Sequence, residues 1–257
     1  MQTANALSHE VDQRNLAGAS IARRYRAYLA TTEEERRAAY RLRFRIFNLE
    51  LHEGLESAFE TGEDRDEFDA VCDHIIVEDA FTGNVVGTYR LQTGTSAARK
   101  LGYYSAREFD FTPYEALGSQ IIELGRACIH PEHRKYEVLM LLWKAIVRYA
   151  CDHGGRYLIG CCSLNSQDRA AGSAVYQTLA STLAPEGLRT SPRRDYRFEL
   201  SDCQQEVRPP KLLRAYLSLG ANICGEPAID REFRTIDFLT LMDLNNLAPS
   251  VRTRLGM

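Results

Sequence analysis

A short apolar segment that carries two charged residues constrains the fold of this chain most. Residues 120–129 read QIIELGRACI, a run that is apolar enough to form a buried strand, yet it includes Glu123 and Arg126. An unpaired charge inside a protein costs several kcal/mol or is neutralised, so both side chains must pair with other groups or face a cleft. The sequence therefore predicts a buried strand whose two charged side chains are candidates for a functional site.

The composition indicates a folded globular protein without a strong charge bias. The chain has 257 residues, 44% of them apolar and 26% charged, which is enough for one large domain or two small ones. The formal net charge of -3 gives no overall attraction to nucleic acid, and we expect no nucleic-acid partner. Arginines are frequent before residue 46, which fits either a solvated helix face or docking to an acidic partner.

Neither a membrane span nor a metal site is indicated by the residue pattern. No run of about 18 apolar residues occurs, and the first 15 residues lack the apolar core of a signal peptide. We expect a cytoplasmic protein, with peripheral contact at the inner membrane face as an alternative. The seven cysteines are odd in number and mostly lie in apolar runs, as reduced packing residues do. Cys72 with His74, or His130 with His133, lacks a second ligand pair at a zinc-like spacing, so we predict no metal.

The order of the predicted elements indicates an α/β fold. Hydrophobic periodicity, caps and turn residues predict a strand at 24–30, a helix at 33–47, a hairpin of 74–78 with 85–92, a strand at 120–129, a helix opened by Pro131, a strand at 157–162, a helix at 170–183, a strand at 196–200, a helix at 212–219 and a strand at 236–242. This alternation predicts one mixed central sheet with helices on both faces. Residues 1–22 are polar and aperiodic, which predicts a flexible N-terminal arm before a single domain at 23–257.

The sequence lacks the common nucleotide and hydrolase signatures, which narrows the chemistry. There is no GxGxxG, GxxxxGK[ST], GxSxG or HExxH pattern. Transfer of an acyl group from a thioester to an amine needs no protein nucleophile, because the thioester is already activated. It needs a base, an anchor for the other end of the amine and a donor to the oxyanion.

Charged residues at the predicted strand ends and in the acidic loop 51–73 meet part of that requirement. They are Asp66, Asp69, Arg90, Glu123 and Arg126. Acids beside arginines suit an acceptor that carries both an ammonium and a carboxylate group. A structural ion-pair network between the loop and the sheet explains the same residues equally well.

Several motifs occur along residues 25–245 in an order typical of one family. They are YRLRFRIF (40–47), DEFD (66–69), CDH (72–74), GTYRL (87–91), Phe109, ELGRACI (123–129), CSL (162–164), PPKLLRAYLSLGA (209–221) and GEPAIDREF (225–233). Together they resemble the ornithine acyl-ACP N-acyltransferases, the GNAT-type enzymes that begin ornithine-lipid synthesis. A sparser frame resembles the acyl-homoserine-lactone synthases.

This resemblance implies a GNAT-like mixed sheet and a role for each charged residue. Glu123 and Arg126 would be catalytic, with Glu123 as the base acting directly or through water. The implied acceptor-binding residues are Asp66, Asp69, Arg90 and Arg43, the aspartates orienting the acceptor and the arginines holding the acidic cluster or the acceptor carboxylate. The donor would be the acyl-phosphopantetheine of acyl carrier protein, without any bound cofactor.

One segment departs from the GNAT enzymes that use acetyl-CoA. Those enzymes place a glycine-rich turn after the central strand, where backbone amides hold the CoA pyrophosphate. Here residues 130–137 read HPEHRKYE, without glycine. A carrier-protein donor lacks the nucleotide and does not need that turn. Arg134 and Lys135 are therefore predicted to contact the acidic surface of acyl carrier protein.

The sequence thus predicts transfer of a fatty acyl group, 3-hydroxylated as the resemblance implies, to the α-amino group of ornithine or a similar amino acid. An N-acyl amino acid synthase with glycine, tyrosine or another acceptor is an alternative. A haemolysin-like, membrane-damaging protein and a GNAT-like binding module without activity are the others. The sequence shows no strongly amphipathic lytic helix, which argues against membrane damage.

Overall fold

An eight-stranded mixed sheet organises the part of the chain that the structure describes. The computed structural model describes residues 24–202 and 207–257. The strands are β1 (Tyr25–Leu29), β2 (Asp73–Asp79), β3 (Asn84–Thr93), β4 (Ile121–Ile129), β5 (Tyr157–Leu164), β6 (Asn222–Ile223), β7 (Ala228–Asp230) and β8 (Thr235–Asp243). They lie in the order β1-β2-β3-β4-β5-β8-β6, and β7 also pairs with β8. Strands β4 and β5 run parallel, and the other described pairs are antiparallel.

Helices cover both faces of this sheet, which confirms the predicted α/β fold class. They are α1 (Glu33–Arg43), α2 (Ala58–Thr61), α3 (Gly94–Arg99), α4 (Tyr136–Asp152), α5 (Arg169–Thr178), α6 (Lys211–Ser218) and α7 (Pro249–Leu255). Helix α4 shares the main core with Ile75 and Val77 of β2. Because neighbouring residues of a strand point to opposite faces, His74 lies on the other face, where its ring meets Tyr40 of α1.

The helix predicted from residue 33 begins as expected. The Thr32 side chain accepts the backbone N–H of Glu35 and the Glu35 carboxylate accepts that of Thr32, which is a capping box. The segment continues beyond α1 as a π-helical stretch, Phe44–Glu50, so helical backbone extends three residues past the predicted end. Such stretches occur frequently at functional sites, and this one borders the cleft described below.

Two features of the described chain bear on the remaining predictions. All of its strands join one sheet, but the predicted single domain at 23–257 stays a prediction, and the predicted arm at 1–22 falls outside the described residues. Among the described residues, helices that combine the length and the apolar character needed to cross a bilayer do not occur.

Strands β4 and β5 part in the middle of the sheet. They pair only from Ile121 to Glu123. Beyond that point β4 carries a bulge opposite Thr88–Arg90, and Arg126 adopts a positive φ of 51°. A bulge bends the strand and redirects a side chain. Gly160 stands where the strands begin to part, since a Cβ there would lie 2.2 Å from the Leu124 carbonyl oxygen.

The prediction that a helix begins at Pro131 is wrong. Pro131–His133 form a single 3-10 turn, and α4 begins only at Tyr136. Arg134 leaves the helical region with ψ of 64°, and Lys135 is extended. Proline fixes φ for a helical first turn but does not ensure that the turn continues.

Two further predictions near the C-terminal half need correction. No strand forms at 196–200; a 3-10 turn, Arg194–Tyr196, precedes backbone without regular structure. The apolar side chain of Phe198 packs on the main core without the backbone joining the sheet. Helix α5 ends at Thr178 rather than at residue 183, and a 3-10 turn, Ala180–Thr182, follows it.

Candidate active site

A cavity of about 720 Å³ opens where β4 and β5 separate. This size is typical of a small-molecule site. Its polar wall contains Glu53, Arg90, Tyr104, Ser105, Glu123, Arg126, Asp230 and Asp237. Its apolar wall contains Leu139, Leu142, Trp143, Leu158, Leu212, Ala215, Tyr216 and Met242, mostly from α4, α6 and the sheet. The cleft therefore joins a charged compartment to an apolar one.

Arg43 lies beneath this cleft as a fully buried cation between two aspartates. Its Nη1 and Nη2 donate to the two carboxylate oxygens of Asp69 at 2.7 and 2.9 Å, and its Nε donates to Asp64 at 2.9 Å. Burial alone would raise the pKa of Asp69, but Arg43 and Arg90 outweigh it and hold that pKa below its usual range. Arg43 thus lies in a buried network rather than on the cavity wall.

Asp66 connects the acidic loop to the two arginines of the sheet. It accepts a 2.6 Å hydrogen bond from Arg90 Nη1 and a 3.3 Å bond from Arg126 Nη2. Arg90 Nη1 also reaches Asp69 at 3.2 Å. Asp69 Oδ2 further accepts the backbone N–H of Asp66. The structure therefore brings five of the six predicted catalytic and acceptor-binding residues into one network: Arg43, Asp66, Asp69, Arg90 and Arg126.

Arg126 points an unused donor toward the cavity. Its Nε is buried and has no hydrogen-bond partner among the described residues. Its guanidinium lies 4.3 Å from the centre of the Phe233 ring, which fixes its plane through a cation–π contact. The left-handed backbone at this bulge turns the side chain into the cleft.

Glu123 is the last residue of β4 that pairs with β5, at the point where the cleft begins. Its two oxygens accept the backbone N–H groups of Tyr104 and Ser105 at 2.8 and 2.7 Å. The side chain is buried, and burial raises its pKa above the usual value although the two N–H groups oppose that rise. A carboxylate oxygen has about two acceptor sites, so a proton can still be received.

A second group of acids lines or adjoins the same cavity and was missed by the sequence analysis. Glu108, Asp230 and Asp237 are buried, and Glu53 borders the cavity. Burial, with Asp237 nearby, raises the pKa of Glu53 to about 7. Asp237 carried the same signal as Glu123, a charge inside an apolar strand, and could have been found by it.

Of the two residues predicted to contact a carrier protein, Arg134 lines the cavity and Lys135 is its neighbour in the chain. Arg134 is half-exposed and makes a bidentate pair with Glu50 at 2.6 and 2.8 Å. Lys135 is exposed and directly precedes α4. The contacts of the described residues do not test whether a carrier protein binds here, so this role stays a prediction.

Two clusters bear on the prediction that no metal is bound. His130, Glu132 and His133 bring their ligand atoms within 4.8 Å of one another, and so do Glu108, Cys161 and Asp237. The pair Cys72 and His74 belongs to neither cluster. The absence of a metal stays a prediction.

Comparisons with known proteins place this geometry in a family. Residues 42–144 match the acetyltransferase (GNAT) domain family. The crystal structure of TofI in complex with an inhibitor and MTA has a TM-score of 0.54 at 15% identity, covering 90% of this chain and 96% of that one. The N-acyl amino acid synthase FeeM has a TM-score of 0.53 at 13% identity, covering 90% and 94%. These likenesses confirm the GNAT-like fold.

Sequence relatives are closer than these structural ones. An L-ornithine N(alpha)-acyltransferase of Rhodobacter capsulatus is 35% identical over 89% of this chain and 93% of that protein. A protein of the same name from Agrobacterium fabrum is 31% identical over 86% and 81%. Identity at this level over nearly the whole length, on a GNAT fold, shows that the chain belongs to the L-ornithine N(alpha)-acyltransferase family of acyltransferases.

Proposed function

We propose that this protein transfers a fatty acyl group, 3-hydroxylated, from acyl carrier protein to the α-amino group of ornithine. The names of its relatives support the acceptor and the reaction. The observation that carries the proposal is the position of Glu123, a buried carboxylate at the point where β4 and β5 part. An amine held there lies between a charged compartment and an apolar one.

The apolar compartment supports binding of the acyl chain. Leu139, Leu142 and Trp143 of α4 line the cavity together with Leu212 and Tyr216 of α6, and the Trp143 ring contacts the Tyr216 ring edge to face at 5.1 Å. Burying an acyl chain is favourable by about 0.8 kcal/mol for each methylene group. The thioester carbon then lies at the gap between the strands, next to the acceptor amine.

Glu123 acts as the general base in this proposal. It takes a proton from the acceptor ammonium, directly or through one water, and the amine attacks the thioester carbon. The carbon–nitrogen bond forms, the carbon–sulfur bond breaks, and the phosphopantetheine thiol leaves with the second nitrogen proton. Its raised pKa makes Glu123 a stronger base than an ordinary surface carboxylate.

Arg126 binds the carboxylate of the acceptor. Its buried Nε is unpartnered, and Asp66 and Phe233 hold the rest of the guanidinium in place. Asp66 and Asp69 orient the acceptor in this scheme by fixing Arg90 and Arg126, since the arginines already occupy their carboxylate oxygens. Arg43 secures Asp69 from below.

Arg134 and Lys135 contact acyl carrier protein. Arg134 lines the cavity, exposed Lys135 follows it in the chain, and acyl carrier protein is acidic. The turn 130–135 contains no glycine, unlike the glycine-rich turns whose backbone amides hold a pyrophosphate, which supports a carrier-bound donor over CoA.

Product analysis with purified protein tests this function. The protein is incubated with 3-hydroxyacyl carrier protein, or with the matching acyl-CoA, and an equimolar mixture of amino acids. Mass spectrometry should find N-acylornithine as the main product, with the carrier-bound donor used faster.

Acylation of glycine or tyrosine instead would favour the alternative amino acid synthase. Binding of the donor without any product would show a non-catalytic module, and lysis of vesicles without a donor would revive the haemolysin-like alternative.

A further inference from the structure

Two buried acids that lie close to each other, Glu108 and Asp237, have oxygen atoms without a hydrogen-bond partner. Glu108 is 1% exposed and Asp237 is 5% exposed. Neither Glu108 Oε2 nor Asp237 Oδ1 has a hydrogen-bond partner among the described residues. Buried polar groups are almost always paired, because an unpaired one costs about 1–3 kcal/mol or more when charged. The pair therefore lacks a donor from the described protein, and without a ligand one carboxyl must carry a proton that the two groups share.

The charge balance of the site identifies that donor as a cation. Arg43, Arg90 and Arg126 pair with the three aspartates of the acidic loop. Glu108 and Asp237, in contrast, form no ion pair with any residue in the described ranges 24–202 and 207–257. Asp237 lines the cavity, so an incoming ligand can reach this group from the acceptor compartment.

The backbone position that holds Glu123 and the one that carries Glu108 are separated by about the length of a ligand with two amino groups. The Ser105 N–H that holds Glu123 starts a 3-10 turn, and Glu108 ends it, with its own N–H bonded to the Ser105 carbonyl. Three residues of such a turn rise about 6 Å. The two nitrogens of an extended 2,5-diamino acid are also about 6 Å apart, given bonds of about 1.5 Å.

We propose that Glu108 and Asp237 bind the side-chain ammonium of a diamino acid acceptor and thereby select it over neutral amino acids. This inference rests on the proposed function and names the residues that give it its specificity. Glu123 then receives the α-amino group, Arg126 the carboxylate and the acidic pair the far end. Three separate contacts fix the α-nitrogen in front of the thioester.

The electrostatics of the pair agree with this assignment. Burial and the charges of Asp237, Asp230 and Glu123 raise the pKa of Glu108 well above its usual value. Burial, with Asp230 nearby, raises the pKa of Asp237 to about 6. Acids crowded in this way bind protons until a cation replaces them. The Cys161 sulfur lies within 4.8 Å of both carboxyl groups, and burial raises the pKa of its thiol, so it stays neutral.

Rates with matched acceptors test the inference. L-norvaline is ornithine without the side-chain amino group, so the ratio of kcat/KM for ornithine to that for norvaline isolates the far contact. In the unchanged protein we expect a ratio of about 100 or more. Asp237→Asn and Glu108→Gln should each lower the ratio at least about tenfold while norvaline turnover stays within about threefold. Glu232→Gln, an exposed acid near Asp230, is the matched control and should leave the ratio unchanged.

Several outcomes would overturn the inference. If kcat/KM falls equally for ornithine and norvaline, the two acids have a merely structural role. If neither value of kcat/KM changes, the side-chain ammonium binds elsewhere. Activity that is abolished by a chelator and restored by zinc or magnesium alone would assign the cluster to a metal. If a variant does not fold, calorimetry on the unchanged protein must still show ornithine binding at least about tenfold tighter than norvaline; equal affinity contradicts the inference.

The same measurements separate this inference from the proposed function. No acylation of any amino acid, with either donor, refutes the function. Acylation of norvaline as fast as ornithine leaves acyl transfer standing and refutes only the role of Glu108 and Asp237.

Discussion

Arg90 donates a 2.6 Å hydrogen bond from Nη1 to Asp66 Oδ1, which ties the centre of β3 to the acidic loop before β2. The same nitrogen reaches Asp69, and Asp69 in turn holds Arg43 beneath the sheet. The loop is thus fastened to the sheet by buried ion pairs on two sides. One wall of the cleft depends on this network.

Asp69→Asn should lower the free energy of unfolding by about 3–5 kcal/mol at pH 7. The change removes one charge from a buried group and leaves Arg43 and Arg90 without full compensation. Urea denaturation measures this change in the free energy of unfolding. The Asp69 pKa is lowered in the folded protein, so its contribution is present above the unfolded pKa of about 3.9 and is lost as the pH falls below it.

Glu33→Gln is the control for that experiment, because it removes an exposed pair with Arg36 and should cost less than about 1 kcal/mol. A higher acceptor KM in Asp69→Asn at unchanged stability would contradict the network role. It would mean that Asp69 contacts the acceptor directly.

Arg126→Asn should weaken binding of the acceptor carboxylate. Asparagine tolerates the left-handed backbone at this bulge, so the change mainly removes the guanidinium. We expect kcat/KM for ornithine to fall about 100-fold, which is about 2.7 kcal/mol. The rate with 1,4-diaminobutane, which lacks the carboxylate, should change less than about threefold. Equal losses for both amines would show that Arg126 does not bind the carboxylate.

Lys135→Glu should slow the reaction with acyl carrier protein more than that with acyl-CoA. The repulsion acts on encounter, so kcat/KM should fall about tenfold and the salt dependence should weaken. Initial rates at several salt concentrations measure both effects.

For Arg134→Glu the control is Glu50→Gln, which also breaks the Arg134–Glu50 pair but keeps the arginine. The same loss in Arg134→Glu and Glu50→Gln would indicate a structural effect instead.

Ornithine should bind more tightly as the pH rises from about 5.5 to 7.5. The pKa of Asp237 is raised to about 6 by burial, and the acids facing it are Glu108, Asp230 and Glu53. The ornithine ammonium binds the ionised form of Asp237. Below the raised pKa of Asp237, binding must therefore displace a proton from this carboxyl, and above that pKa it need not, so the affinity for ornithine increases. Calorimetry in buffers of different ionisation enthalpy counts that proton. Norvaline should show little of this pH dependence, and an equal pH dependence for both ligands would be incompatible with the assignment.

Local patterns in the sequence predict much of this fold. The Thr32–Glu35 capping box, the hairpin and the charged strand with Glu123 each depend on residues close together in the chain. The resemblance to one family then indicated which charged residues meet. In the structure Arg43, Asp66, Asp69, Arg90 and Arg126 share one ion-pair network, and their roles in the reaction are proposals.

Other features depend on contacts that no short pattern encodes. The bulge at Arg126 adds one residue to β4, and strand alternation alone cannot reveal it. Glu108 and Asp237 come together only because a turn packs over the strand order β4-β5-β8. The predicted strand at 196–200 had suitable residues but no neighbouring strand with which to pair.

The base assignment of Glu123 is the centre of this account. Glu123→Gln removes basicity, although its amide NH2 would oppose one of the backbone N–H groups of Tyr104 and Ser105, so the melting temperature should fall somewhat. Glu123→Asp keeps a carboxylate that is displaced by about one bond and serves as the companion variant. Both variants are assayed well below their melting temperatures, with ornithine binding measured by calorimetry.

The decisive measurement is kcat for Glu123→Gln with saturating 3-hydroxyacyl carrier protein and ornithine. The account predicts a loss of about 100-fold or more, a smaller loss in Glu123→Asp and ornithine affinity within about threefold of the unchanged protein. A folded Glu123→Gln protein that turns over at a near-normal rate would contradict the account and place the base on another residue.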